Sequence, residues 1–274
     1  MSSRADYGID SPAIVGGLAI LACIAFGAAL SLRLWRAYPV VELGLFVAGA
    51  YFFLGGCGMI WYSKVGKLRI RNQILQHIAW RGDEFALDVG CGRGLLLVGA
   101  ARQLTSGKAI GVDRWVTGTL TGNRPKAALE NARAEGVLAR VEVQHGDVRQ
   151  LPFADASFHV VLSNFVLHEL KNRTERQQML SEVVRVLKPG GRLALMDFIF
   201  TSECKRVLIE IGIADAGRER VGSSVSFWLN ALFNFGLVQI YLVTGSKKRQ
   251  PANESSNARG NPPTTKARAP DIQP

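Results

Sequence analysis

Cysteine is scarce in this 274-residue chain, with four residues (Cys23, Cys57, Cys91 and Cys204) and no C-x-x-C pair. The four histidines form no cluster near them. Cysteines this few and scattered exclude a disulfide framework and a zinc centre, and they fit a reduced, cytosol-facing domain with no metal. Basic residues do not interleave with aromatic ones as they do in a single-strand binder, so the net charge of +11 is no argument for nucleic acid. Much of that excess lies beside apolar runs or in the C-terminal tail, where anionic lipid head groups are the simpler counterpart. The G-x-G-x-x-G loop of dinucleotide enzymes is also missing, which disfavours a nicotinamide or flavin cofactor.

Formal charge is absent from Pro12 to Leu32, a run long enough to cross about 30 Å of hydrocarbon as a helix, and it stops at Arg33 and Arg36. A second apolar run from Pro39 to Tyr62 is interrupted only by Glu42. The first run follows Asp6 and Asp10 rather than a basic stretch, so a membrane hairpin is favoured over a cleaved signal peptide. Spans are expected at about 12–32 and 39–62, inside a hairpin unit of residues 1–62. Glycines 16, 17, 27, 44, 49, 55, 56 and 58 would let its helices approach closely. Lys64, Lys67, Arg69, Arg71 and Arg81 follow the second run, which places the bulk of the chain and its N-terminal tail on the cytoplasmic side of the cell membrane.

From residue 82 onward, strand and helix patterns alternate. Strands are expected at Phe85–Val89, Ala109–Val112, Val141–Val143, His159–Leu162 and Arg192–Phe200, with helices at Pro125–Glu135 and Glu175–Leu187. Such alternation predicts a doubly wound α/β domain over 63–246. Lys188-Pro189-Gly190-Gly191 reads as a sharp helix stop, Ile213–Val221 as a sixth strand and Gly236–Thr244 as an antiparallel seventh. The aromatic stretch 227–235 either covers the sheet or touches the bilayer. Residues 247–274 collapse into Pro, Asn, Ser, Thr, Lys and Arg, the composition of a disordered basic tail.

The densest signal is Asp88-Val89-Gly90-Cys91-Gly92-Arg93-Gly94, between a buried strand and the apolar run Leu95–Val98. Three close glycines turn a strand into a helix and bring bare backbone against a nucleotide-like ligand. An acid two residues before the first glycine suits a cationic cofactor. Further motifs follow in order: Gly111-Val112-Asp113, His145-Gly146-Asp147-Val148, Phe158 to Asn164, and Leu187-Lys188-Pro189-Gly190-Gly191. With them the chain, over about residues 64–245, resembles the class I S-adenosylmethionine-dependent methyltransferases in their type 11-like branch.

That resemblance implies a Rossmann-like, seven-stranded, mostly parallel sheet preceded by two transmembrane helices, with S-adenosyl-L-methionine across the carboxyl ends of the first strands. Its cofactor contacts would be the loop residues Gly90, Cys91, Gly92 and Gly94, with Asp88 toward the ammonium and sulfonium end. Asp113 would serve the ribose hydroxyls, Asp147 and the amide of Val148 the adenine, and Arg114 with Trp115 the adenine face; Asn164 completes the set. Asp88 has a second reading, as a cap for the loop that follows. His168 is the candidate base and Asp197 a candidate wall of the acceptor pocket. Tyr62 or Lys64 is placed to reach the cofactor's carboxylate. The expected acceptor is a lipid-like or hydrophobic small molecule. Two alternatives stay open: a membrane-anchored cofactor-binding scaffold without transfer activity, and a nucleotide-dependent oxidoreductase. Neither the acceptor atom nor the oligomeric state is legible.

Overall fold

The computed structural model describes residues 5–35, 38–116, 120–221 and 239–249. Arg36, the aromatic stretch 227–235 and the tail from residue 250 lie outside the described residues.

Two helices open the chain, α1 (Pro12–Leu34) and α2 (Pro39–Trp61), each starting on a proline whose missing N–H is no loss at a helix start. At 23 residues apiece they reach about 35 Å, long and apolar enough to cross a membrane. They pack on each other through Ala22, Ala25 and Ala29 of α1 and Gly49, Gly55 and Gly56 of α2. The ring of Phe26 lies 2.7 Å from where a Cβ on Gly49 would stand. Gly16, Gly17, Gly27 and Gly44 instead face open space, so close approach explains only some of the hairpin's glycines. The outward faces expose Ile20, Ile24, Val40 and Val47.

A π-helical turn (Tyr62–Gly66) leads into α3 (Lys67–Gln76). The domain continues with β1 (Phe85–Val89), α4 (Leu95–Ala101), β2 (Lys108–Asp113), α5 (Pro125–Ala134), β3 (Val141–His145), β4 (Phe158–Asn164), α6 (Arg173–Val186), β5 (Leu187–Asp197), α7 (Thr201–Glu210), β6 (Gly217–Arg220) and β7 (Tyr241–Ser246). The sheet order is β3-β2-β1-β4-β5-β7-β6. β1 to β5 run parallel, and β7 is antiparallel to both β5 and β6. This is the doubly wound arrangement that the alternation predicts and the Rossmann-like, mostly parallel seven-stranded sheet that the resemblance implies.

Alternate residues of one strand divide the core between two layers. Leu193 and Leu195 of β5 pack with α6 and α7, whereas Ala194 and Met196 pack on the side of α3, α4 and α5. Strands buried on both faces read as continuous apolar runs, which is why β1 and β4 stand out in the sequence.

Several expectations need correction. Lys188–Gly191 is not a turn before the fifth strand but part of it, accommodated by a bulge opposite Phe158 to Val160; Gly190 and Gly191 exchange backbone hydrogen bonds with Lys247. β5 ends at Asp197, because Phe200 takes up left-handed backbone to start α7. The sixth strand is shorter than expected, and the seventh is displaced to 241–246. Ile213 and Ala216 are drawn into the core beneath Gly245, leaving only the charged edge segment Gly217–Arg220 to pair. Lys247, counted with the tail, donates to the carbonyls of Val184 and Leu187 at 2.7 and 2.8 Å and so fastens the end of α6.

Candidate active site

Above the carboxyl ends of β1, β2 and β4 lies a cavity of about 290 Å³. The order β2-β1-β4 makes this edge the switch point of the sheet, where the chain leaves for opposite faces and a crevice opens.

The glycine loop forms its floor. Gly90 has φ +73° with its amide on the Val112 carbonyl (2.8 Å), and a Cβ there would come within 2.3 Å of a Val166 methyl. Only glycine brings the backbone this close to the β4 loop. Gly94 (φ +82°) ends the loop as the N-cap of α4 and packs on Ala128 of α5, outside the cavity lining.

Asp88 is buried, and its Oδ2 accepts from the Leu97 amide at 2.8 Å, holding the first turn of α4. It also lines the cavity, so capping and facing the ligand are both open to it. Burial pushes its carboxyl up to about 7, with the Leu97 hydrogen bond opposing and the Asp113 charge adding to the rise. Asp113 accepts from Gly92 N (2.8 Å) and Trp115 N (2.6 Å), which fixes its carboxylate at the cavity wall beside Arg114. The indole of Trp115 turns to the Gly92 carbonyl at 3.3 Å.

Gly90, Cys91, Gly92, Asp113, Arg114, Val148, Asn164 and His168 are brought together around the cavity with Asp88. Asp147 is not among the lining residues. Arg149 holds its carboxylate at 2.5 Å, with Arg114 at 3.8 Å, and that pairing draws it down to about 2. Val148, its neighbour, does line the space.

The Oδ1 atoms of Asn164 and Asn123 are buried against the cavity and have no hydrogen-bond partner among the described residues. Buried acceptors left orphaned call for donors on a ligand. Two aspartates, two free amide oxygens and a bare glycine backbone fit a cationic, donor-rich nucleotide such as S-adenosylmethionine.

The sequence gives almost no sign of one wall. Residues 5–10, ahead of α1, lie across the mouth, and Tyr7, Asp10 and Ser11 line the cavity. Asp6 exchanges two hydrogen bonds with Asn131, at 2.8 and 2.9 Å, and Tyr7 donates to Glu135. Ile9 pairs with Thr121, and Asp10 meets Ser63. Beneath them the buried ammonium of Lys67 donates to the carbonyls of Tyr7 (2.7 Å) and Gly8 (2.9 Å) and faces the Asp10 carboxylate at 3.3 Å. Lys64 pairs with Asp6 at 2.8 Å, while Tyr62 lines the cavity. The one available hint was the acidic pair Asp6 and Asp10 beside the basic run 64–71.

Comparison with known proteins agrees with this architecture. Residues 87–195 match the family described as a methyltransferase domain. The chain is 29% identical over 143 residues to a demethylmenaquinone methyltransferase of Lactobacillus johnsonii, covering 52% of this chain and 54% of that one. It is 33% identical over 132 residues to the 27-O-demethylrifamycin SV methyltransferase of Amycolatopsis mediterranei, covering 48% and 44% respectively. The chain thus spans about half the length of these curated relatives. Among solved structures, the cyclase SpnF superposes with a TM-score of 0.53 at 19% identity over 67% of this chain and 82% of that one. Phosphoethanolamine N-methyltransferase 2 of Haemonchus contortus, in complex with S-adenosyl-L-methionine, does so at 0.51 and 18% identity over 66% and 53%. At such identity the likeness concerns the fold alone. The motifs, strand order and matched residues agree, and the domain around residues 87–195 belongs to the class I S-adenosylmethionine-dependent methyltransferases.

Proposed function

We propose that this protein is a membrane-held methyltransferase that transfers the methyl group of S-adenosylmethionine to a hydrophobic, lipid-like small molecule taken from the bilayer. One observation carries the reading: the cavity wall includes Ser11, next to the first residue of α1, and Tyr62, just past the last residue of α2. If the hairpin crosses a membrane, the cavity opens at the level where lipid chains meet water. Apolar side chains near the mouth support this, since Val116, Phe198 and Ile199 are exposed and two of them line the cavity. The relatives named for demethylmenaquinone and 27-O-demethylrifamycin SV point the same way.

The bound cofactor supplies an already activated methyl on a sulfonium. The chain's own part is to orient and to exclude water. The amides of the glycine loop, Asp113, Val148 and Asn164 are the residues that would hold the cofactor, with the Asp88 carboxylate facing its cationic end. The strap of residues 5–10 and the rings of Phe165 and Phe198 shield the reaction zone. His168 is the residue placed to receive a proton.

Membranes containing the full chain, incubated with methyl-tritiated S-adenosylmethionine, should place label in the organic extract. Label confined to water-soluble products or to protein would overturn the lipid-like acceptor, and cofactor bound without any turnover would favour a binding scaffold.

A further inference from the structure

Asp197 closes β5 with its carboxylate fully buried, and the donors it meets come from the turns around it. Oδ1 accepts from the amides of Phe198 (2.7 Å) and Ile199 (3.3 Å), and Oδ2 accepts from the His168 amide at 3.2 Å. Its remaining partner is the His168 ring, whose Nδ1 lies 3.2 Å from Oδ2. An ionised carboxylate only accepts, so Nδ1 carries the hydrogen and the lone pair sits on Nε2. The ring is held in place by Phe198, at 4.7 Å between centroids, and by Phe165 edge-on at 6.2 Å. It lines the cavity, and with Nδ1 engaged the nitrogen left for a ligand is Nε2.

We infer that Asp197 is a positioning residue that presents His168 as a proton acceptor, and that the group methylated is accordingly a hydroxyl. The inference rests on the proposed methyl transfer and adds the class of acceptor atom. An amine that arrives neutral attacks without losing a proton first, so a fixed imidazole base has little to do for it. A hydroxyl needs one. In the transfer, the acceptor oxygen bonds to the methyl carbon as the carbon–sulfur bond breaks with its electron pair on sulfur, and the hydroxyl proton goes to Nε2. Atoms and charge balance without a further reactant.

Burial opposes charge on the His168 ring, yet the hydrogen bond and charge of Asp197, with Glu169 adding, raise it above the ordinary imidazole value. Asp10, Lys67, Asp88 and Asp113 line the same cavity. A base must be neutral to act, so turnover should rise with pH through the raised midpoint. Removing the Asp197 charge should move that midpoint to lower pH.

The test uses the full chain in lipid nanodiscs with ¹⁵N-labelled histidine. Only four histidines are present, and His168→Gln identifies the signal. The expected spectrum shows an Nδ1–H tautomer titrating above ordinary imidazole, with a lower midpoint in Asp197→Asn. With 4-octylphenol as probe acceptor, kcat should fall roughly a hundred-fold in His168→Gln and at least about ten-fold in Asp197→Asn, with KM within about two-fold. An Nε2–H tautomer in the unaltered protein, or a midpoint indifferent to Asp197→Asn, would overturn the positioning role. Methylation of 4-octylaniline but not of 4-octylphenol, or of neither while adenosylhomocysteine binds by calorimetry, would overturn the hydroxyl assignment. Failure to bind adenosylhomocysteine or S-adenosylmethionine at all would instead remove the methyltransferase reading beneath it.

Discussion

Asp88 shows how burial turns one carboxylate into a proton-linked contact. Its folded pKa near 7 means that it is partly protonated in the free protein at neutral pH. A cationic cofactor favours the ionised form, so affinity for S-adenosylmethionine should strengthen as pH rises through 7, with release of a fraction of a proton. Calorimetry at pH 6.5 in buffers of different ionisation enthalpy measures that release, and Asp88→Asn should reduce it, leaving the share that His168 contributes. Asp113 is poised differently, because both oxygens already anchor loop amides. Asp113→Ala should weaken cofactor binding by roughly 1–3 kcal/mol, the penalty for losing a half-buried charged acceptor, and titration calorimetry reads it directly. Both acids were visible in the sequence because they flank a glycine turn and end a strand. The turning of Asp147 toward Arg149 was not, since two adjacent motif residues do not reveal which way a carboxylate points.

At the scale of elements, the strap before α1 is held by Lys67, a buried ammonium facing the carbonyls of Tyr7 and Gly8 and the Asp10 carboxylate. Lys67→Met keeps the bulk but removes all three contacts. Amides of residues 6–10 should then exchange with solvent at least about ten-fold faster by hydrogen-exchange mass spectrometry, since a freed segment opens with little penalty. Cofactor affinity should fall as well; exchange unchanged from the parent protein would show that the strap is held by other contacts. β1, β2 and β4 were legible because central parallel strands are largely apolar, whereas the edge strand β3 and the Lys188–Gly191 start of β5 carry polar or turn-forming residues. β6 and β7 were misplaced because Ile213 and Ala216, apolar enough for a strand, serve as core plugs. The strap was hidden for a different reason: its contact from Tyr7 to Glu135 joins residues 128 apart, beyond any local pattern.

For the whole molecule, the meeting of Asp10 with Ser63 and Lys67 places the chain before α1 beside the chain after α2. A hairpin that crosses twice returns to its starting side, so the contact and the two-span reading agree. Of the four thiols, Cys91 and Cys204 are buried, and burial raises both well above ordinary thiols; Cys23 and Cys57 lie on the apolar helices. A membrane-impermeant maleimide applied to sealed vesicles should therefore leave the unaltered chain unlabelled. Ala5→Cys and Lys248→Cys should label from one side and Trp35→Cys from the other. Labelling of Cys23 or Cys57, or of all three variants from one side, would show that the hairpin does not span. By itself the sequence determined the succession of strands and helices along the chain, the glycine turn with its flanking acids, and the length of the two apolar helices, because each is written in local spacing and hydrophobic period. Tertiary structure alone decided that the N-terminal strap forms a wall of the cavity, that Asp147 pairs with Arg149 and that Asp197 holds His168. These depend on which distant residues share one small volume, and no local pattern encodes that.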